Sequence, residues 1–129
     1  MSGVVLDASA LLAMLLDEAG GDRVAASLDD AMMSSVSYAE VVSHYAKLGA
    51  KRHDIEQLLN PLPIRIVDPD PPLAMDSGML RCQTRTAGLS LGDRFCLALA
   101  KRENRSVLTA DRPWEAFAKA LGIAIVLIR

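Results

Sequence analysis

Short β-branched runs alternate with helix-patterned segments along the whole chain, and this alternation limits the fold more than any other feature. Val4, Val5 and Leu6 read as a buried strand, and residues 9–16 as a largely buried helix. Gly20 and Gly21 predict a break, followed by a helix over 23–28 and a second strand over 32–36. Tyr38, Val41, Val42, Tyr45 and Leu48 fall on one face of a third helix. A short helix over 54–59 ends at the Asn60-Pro61 pair, and a third strand covers 64–67. Pro72 suits the start of a helix that runs to about Thr86 and ends at Gly88. An apolar helix over 91–102, a strand over 106–109, a helix with Trp114, Phe117, Ala118 and Leu121 on one face, a Gly122 cap and a strand over 123–128 complete the chain. The pattern predicts an α/β fold: a parallel central sheet of about five strands with helices on both faces. Such sheets bind ligands outside the carboxyl ends of their strands, where the strand order reverses.

The chain has 129 residues, which predicts one domain spanning 1–129. At 51% hydrophobic residues and without repeats or low-complexity runs, it is neither disordered nor collagenous nor a coiled coil. Aromatics at 4% argue against a platform of stacked bases, and a net charge of -2 argues against bulk attraction to polyanions. The first basic residue is Arg23, so no charged leader region precedes the apolar run 8–16. That run lies between Asp7 and Asp17 and is far short of the ~20 residues that span a bilayer. A cytoplasmic protein with no membrane association is expected. Cys82 and Cys96 sit in apolar helical patterns and are expected to be buried free thiols; with His44 and His53 they lack zinc-ligand spacing. Charge is unevenly placed: residues 1–46 carry seven acids and one base, and residues 81–105 carry six bases and two acids. The basic stretch suits solvated helix faces or, beside a site, a phosphate backbone.

Four acids stand where the strand pattern places ligand sites. Asp7 ends the first strand, Asp111 follows the fourth, and Glu40 and Asp93 are expected in the first turns of the third helix and of the helix over 91–102. All four should share one rim. Singly, each can be a cap: Ser37…Glu40 and Ser90…Asp93 have the spacing of a capping box, and Asp7 and Asp111 suit N-caps. Together they repel one another, and a bound cation is the usual reason for a fold to keep such a group. An all-carboxylate donor set without His or Cys selects a hard ion, Mg²⁺ or Mn²⁺; no loop has the spacing of a Ca²⁺-binding EF-hand. The chemistry this suits is phosphodiester hydrolysis. No Ser-His-Asp or Cys-His arrangement competes. A phosphoacceptor receiver domain would carry an acid pair at the first strand and a late Lys, and a haloacid-dehalogenase-type phosphatase a second Asp two residues after Asp7. Ala8, Ser9 and the Thr109-Ala110-Asp111 run depart from both patterns.

The segments Val4-Val-Leu-Asp7-Ala-Ser9, Ser37-Tyr-Ala-Glu40-Val, Leu89-Ser-Leu-Gly-Asp93-Arg-Phe-Cys and Val107-Leu-Thr109-Ala-Asp111-Arg-Pro-Trp114 resemble, in order and spacing, the PIN-domain ribonucleases, and more narrowly the VapC-type toxins of toxin–antitoxin pairs. The resemblance covers nearly the whole chain and keeps the full acidic quartet. It implies a single PIN-like domain acting as a Mg²⁺- or Mn²⁺-dependent endoribonuclease on RNA, homodimeric and inhibited by a cognate antitoxin. Asp7, Glu40, Asp93 and Asp111 would take the catalytic and metal-site roles, with Asp7 and Asp93 as direct ligands and Ser9 and Thr109 as supporting hydroxyls. Arg94 and Arg112 adjoin the acids and either hold phosphate or form outward salt bridges. The alternatives are a non-catalytic PIN-like binding module and a receiver-type signalling domain. An acidic rim beside apolar helices, such as that over 9–16, suggests an inhibitor with a basic side chain and an apolar helix.

Overall fold

The computed structural model describes residues 3–84 and 88–129; Arg85, the predicted helix end near Thr86, and the side chain of Phe117 lie outside the described residues. Five strands form one parallel sheet in the order β3-β2-β1-β4-β5: β1 Val4–Leu6, β2 Ala31–Ser34, β3 Ile64–Val67, β4 Ser106–Thr109 and β5 Ile125–Leu127. The helices are α1 Ala8–Leu15, α2 Gly21–Ala26, α3 Ser35–Lys47, α4 Arg52–Leu59, α5 Pro71–Thr84, α6 Leu91–Glu103 and α7 Glu115–Leu121, with 3-10 turns at Leu28–Asp30 and Arg112–Trp114.

The strand alternation explains the two-sided core. Val5, Met32 and Val107 face α5, α6 and Trp114, whereas Leu6, Met33 and Leu108 pack under α1, α3 and α4. Both faces of the sheet are covered, so its strands are short continuous apolar runs rather than alternating ones. The chain builds leftward from β1 through β2 to β3, then crosses to β4 on the other side of β1. The strand order therefore reverses between β1 and β4, and a crevice opens outside their carboxyl ends.

Several boundaries differ from those expected. The break spans residues 16–20, with left-handed φ at Asp17 (55°) and Gly20 (88°); Gly21 already belongs to α2. A Cβ on Gly21 would stand 2.7 Å from the Ala13 carbonyl oxygen, so α1 and α2 pack backbone to backbone there. Val36 is helical rather than in β2, because Ser34 ends the strand and its hydroxyl accepts from the Val36 N–H at 3.1 Å. Trp114 is wholly buried but lies in the 3-10 turn before α7. Cys96 is buried as expected, whereas Cys82 is exposed, because it falls on the outer face of α5. The apolar helix α1 spends Ala8, Ala10, Leu11 and Ala13 on the core and leaves Leu12, Met14 and Leu15 half-buried, with Leu16 exposed just past its end. Among the described residues no helix is long and apolar enough to cross a membrane.

The last three bases of the basic stretch lie away from the crevice. Lys101 and Arg102 stand about 12 Å or more along the axis of α6 from Asp93, at 1.5 Å per residue, and Arg105 lies beyond the end of that helix. Arg102 pairs with Asp70 at 2.9 Å and Glu103 at 3.4 Å, and Arg105 pairs with Asp30 at 3.4 Å beside the amino ends of β2 and β4. Those charges knit the edge of the sheet opposite the crevice.

Candidate active site

Asp7 leaves β1 at the reversal point and is 4% exposed. Its Oδ2 accepts from the Ser9 hydroxyl at 2.6 Å and from the Thr109 hydroxyl at 2.9 Å. Those hydroxyls are themselves oriented by backbone: Ala110 N–H donates to Ser9 Oγ at 3.0 Å and Asp111 N–H donates to Thr109 Oγ1 at 3.0 Å. The chain between β4 and the 3-10 turn thus fixes one oxygen of Asp7 through two hydroxyls. Burial still dominates. It drives the Asp7 carboxyl up from the ordinary 3.8 to about 6, against the two hydroxyl donors and with help from the charge of Asp93.

Glu40 comes from the second turn of α3, not the first, since the helix starts at Ser35. Its carboxyl is driven to about 7 by burial, then by Asp93 and Asp7. Its Oε1 is buried with no hydrogen-bond partner among the described residues. Asp111 is also raised, by burial and then by Asp93; the nearby Trp114 indole opposes this without making a hydrogen bond of standard geometry. Asp93 is the common neighbour, since its charge acts on Asp7, Glu40 and Asp111 alike. The four acids expected on one rim are therefore brought within electrostatic reach of one another.

The capping alternative separates the four. Asp93 does cap α6: Ser90 Oγ accepts from Asp93 N–H at 3.1 Å, and Asp93 Oδ2 accepts from Ser90 N–H at 3.0 Å. The expected box at Ser37 and Glu40 does not form. Ser37 is buried inside α3 with its hydroxyl unpartnered, and Ser34 takes the cap. Asp7 and Asp111 occupy N-cap positions but make no side-chain cap hydrogen bond. Asp7, Glu40 and Asp111 are thus desolvated without serving as caps, and only Asp7 is partly compensated, by the Ser9 and Thr109 hydroxyls.

Gly92 is a site residue that the sequence reading did not single out. A Cβ there would stand 2.6 Å from Glu40 Oε1 and 2.8 Å from Oε2, so the carboxylate rests against bare α6 backbone. A glycine inside the first turn of a helix is the sequence signal for such a close approach. Arg94 is not on the rim. Only 8% exposed, it turns toward α5, where Nη1 donates to the Ser77 carbonyl at 3.3 Å. That placement removes the outward salt bridge, because position 94 of α6 faces its neighbouring helix. Arg112 is exposed in the 3-10 turn and makes no ion pair among the described residues.

The donor set is all oxygen, and one buried oxygen has no partner, which suits a hard divalent cation. As the side chains stand, no three of the described Asp, Glu, His or Cys residues meet closely enough to hold an ion together.

The crevice between β1 and β4, with its carboxylate rim, defines a single-domain parallel α/β protein whose chemistry is that of an acidic, oxygen-donor site. The model of the PIN domain family matches residues 4–120, and the chain belongs to that family. No curated protein matches the chain in sequence. Solved structures share its fold. A DNA-bound VapBC complex from Salmonella typhimurium has a chain 18% identical, with a TM-score of 0.76 and full coverage of both chains. A toxin–antitoxin complex from Klebsiella pneumoniae has one 19% identical, with a TM-score of 0.73 and 98% of each chain covered. The FitAcB structure from Neisseria gonorrhoeae has one 24% identical, with a TM-score of 0.63 and 95% of each chain covered.

Proposed function

We propose that this protein is a Mg²⁺- or Mn²⁺-dependent endoribonuclease, the toxin of a toxin–antitoxin pair. The observation that carries the reading is the set of desolvated carboxylates without caps. Asp7 and Glu40, with pKa values raised to about 6 and about 7, destabilise the fold unless a cation shares their charge. Asp7 and Asp93 would be the direct ligands of such a cation, with Glu40 and Asp111 completing the charge. The bound cation supplies charge stabilisation at phosphorus and a more acidic water. The chain supplies the rest. Ser9 and Thr109 hold Asp7 in one orientation. Asp93 is locked to the amino end of α6 by its capping bonds. Glu40, poised near neutrality and free of hydrogen bonds at Oε1, is the carboxyl able to exchange a proton there.

The toxin part of the reading draws on the fold shared with chains of toxin–antitoxin complexes. The protein acts as a homodimer, and an antitoxin inserts a basic side chain into the acidic rim. A further surface for that partner is the groove between α3 and α4, about 570 Å³, where Tyr38, Val42, Ala46 and Ile55 stand beside the polar Arg52, Glu56 and Asn60.

The test is incubation of the pure protein with structured RNA, with Mg²⁺ or Mn²⁺ and with excess chelator. Cleavage only in the metal-containing samples is expected. Equal cleavage in both overturns the metal-dependent mechanism, and RNA binding without cleavage in any sample points to a binding module.

A further inference from the structure

At the amino end of α6 the surface between α5 and α6 opens into a cavity of about 210 Å³, lined by Arg81, Thr84, Gly88, Leu89 and Arg94. Arg94 is the unusual member. A side chain that is 8% exposed carries a full positive charge, yet no carboxylate stands within ion-pair distance. Every Asp and Glu of the chain lies among the described residues, so none is missing from that comparison. Its one hydrogen bond among the described residues is the 3.3 Å contact to the Ser77 carbonyl, out of five N–H groups. Buried charges are ordinarily paired, because desolvation without a partner is costly. A second cation, the exposed Arg81 on α5, lines the same cavity, so the local charge is doubled rather than balanced.

A cavity that has, among the described residues, two guanidinium groups and no acid selects an anion, and the planar fork of arginine matches the paired oxygens of a phosphate. Its position narrows the source. Arg94 follows Asp93 directly, so the cavity and the Asp93 carboxylate share the amino-terminal end of α6. The two surfaces have opposite needs: the rim repels phosphate until a cation is bound, whereas the arginine cavity attracts it with none. We infer that this cavity takes a phosphate group of the RNA strand, anchoring the backbone beside the carboxylate rim without any metal. The inference rests on RNA being the substrate.

Binding is measured in excess chelator, by fluorescence anisotropy of a labelled single-stranded RNA oligonucleotide. The variants are Arg81→Gln, which alters an exposed residue and leaves the buried one in place, and Lys47→Gln, which removes the same charge at the exposed end of α3. Arg81→Gln is expected to weaken binding about tenfold, the loss of one charge-assisted hydrogen-bonded contact. It should also lower the slope of log affinity against log salt by about 0.7, one single-strand phosphate contact. Lys47→Gln should change neither by as much as half. Inorganic phosphate should displace the oligonucleotide from the parent better than chloride at matched ionic strength, and lose that advantage in Arg81→Gln. Equal effects of the two substitutions overturn the inference. Phosphate that raises the melting temperature through Arg81 while RNA affinity ignores Arg81 also overturns it, assigning the cavity to the free anion. The nuclease reading fails separately: RNA held through Arg81 but never cut with Mg²⁺ refutes cleavage and leaves the cavity standing.

Discussion

Asp7 costs the fold stability at neutral pH, and the sign of that cost can be measured. Its carboxyl titrates near 6 in the folded chain and near 3.8 when unfolded. Between those values the folded state holds the proton more tightly, so stability falls as pH rises through the interval, and the loss is complete above it. At about 1.4 kcal/mol per pH unit, the penalty at neutral pH is roughly 2–3 kcal/mol. Asn at this position keeps an oxygen to accept from Ser9 and Thr109 and has no charge to desolvate. In metal-free buffer, Asp7→Asn should therefore be more stable than the parent by about 2–3 kcal/mol near pH 8, with the gap closing toward pH 4. Mg²⁺ should narrow the gap at high pH, because a nearby cation lowers the carboxyl's pKa. Denaturant melts of both proteins across that pH range check this, and a gap that does not vary with pH removes the desolvation argument. The position of Asp7 was legible in the sequence because a residue that ends a strand has its edge fixed by topology. Its state was not legible, because desolvation depends on how α1, β4 and α6 close around it.

At the scale of elements, two glycines in helices separate packing from chemistry. Gly78 in α5 has nothing within 4 Å of where a Cβ would stand, so Gly78→Ala should stabilise by about 0.5–1 kcal/mol through helix propensity and leave activity alone. Gly92 in α6 is different, because the new methyl group would meet the Glu40 carboxylate at 2.6 Å. That carboxylate is the end of a flexible side chain and can swing aside, so Gly92→Ala should melt within about 1 kcal/mol of the parent. Its RNA cleavage should drop by at least tenfold, because Glu40 is displaced. A pair of melting curves beside a cleavage assay decides it, and full activity in Gly92→Ala detaches Glu40 from the site. The strand and helix alternation was read correctly because period and β-branching are local signals. The Ser37 capping box was misread for an equally physical reason: Ser34 and Ser35 offered a cap three residues earlier, and the register of β2 against β1 and β3 ends the strand there. Arg94 makes no outward salt bridge, because the packing of α5 on α6 turns it inward, which the acid beside it in sequence does not reveal.

At the scale of the molecule, the linear charge pattern is not the spatial one. The amino-terminal acids and the late bases meet as pairs across the fold, Asp30 with Arg105 and Glu18 with Arg129. The site is therefore left as a local acidic rim on a chain of nearly balanced charge, flanked by the apolar groove between α3 and α4. Rim and groove share α3, since Glu40 lies on the rim and Tyr38, Val42 and Ala46 line the groove. A single inhibitor that lays an apolar segment in the groove can reach the rim with a basic side chain, and the two contacts can be separated by substitution. Ala46 is exposed and its side chain supports no core contact, so Ala46→Glu should leave melting within about 0.5 kcal/mol of the parent. Arg52 at the groove is already paired with Glu56, so a carboxylate at 46 covered by an apolar segment is desolvated, which should weaken the antitoxin complex by at least tenfold, at a cost of about 1–3 kcal/mol. RNA cleavage by Ala46→Glu alone should match that of the parent, because the groove takes no part in the chemistry. In a mixture with the antitoxin, the parent should be silent while the variant still cuts. Co-expression with the neighbouring small reading frame, size-exclusion chromatography and a cleavage assay on the eluted fractions make the measurement. A variant that is bound and silenced as tightly as the parent places the antitoxin elsewhere on the molecule.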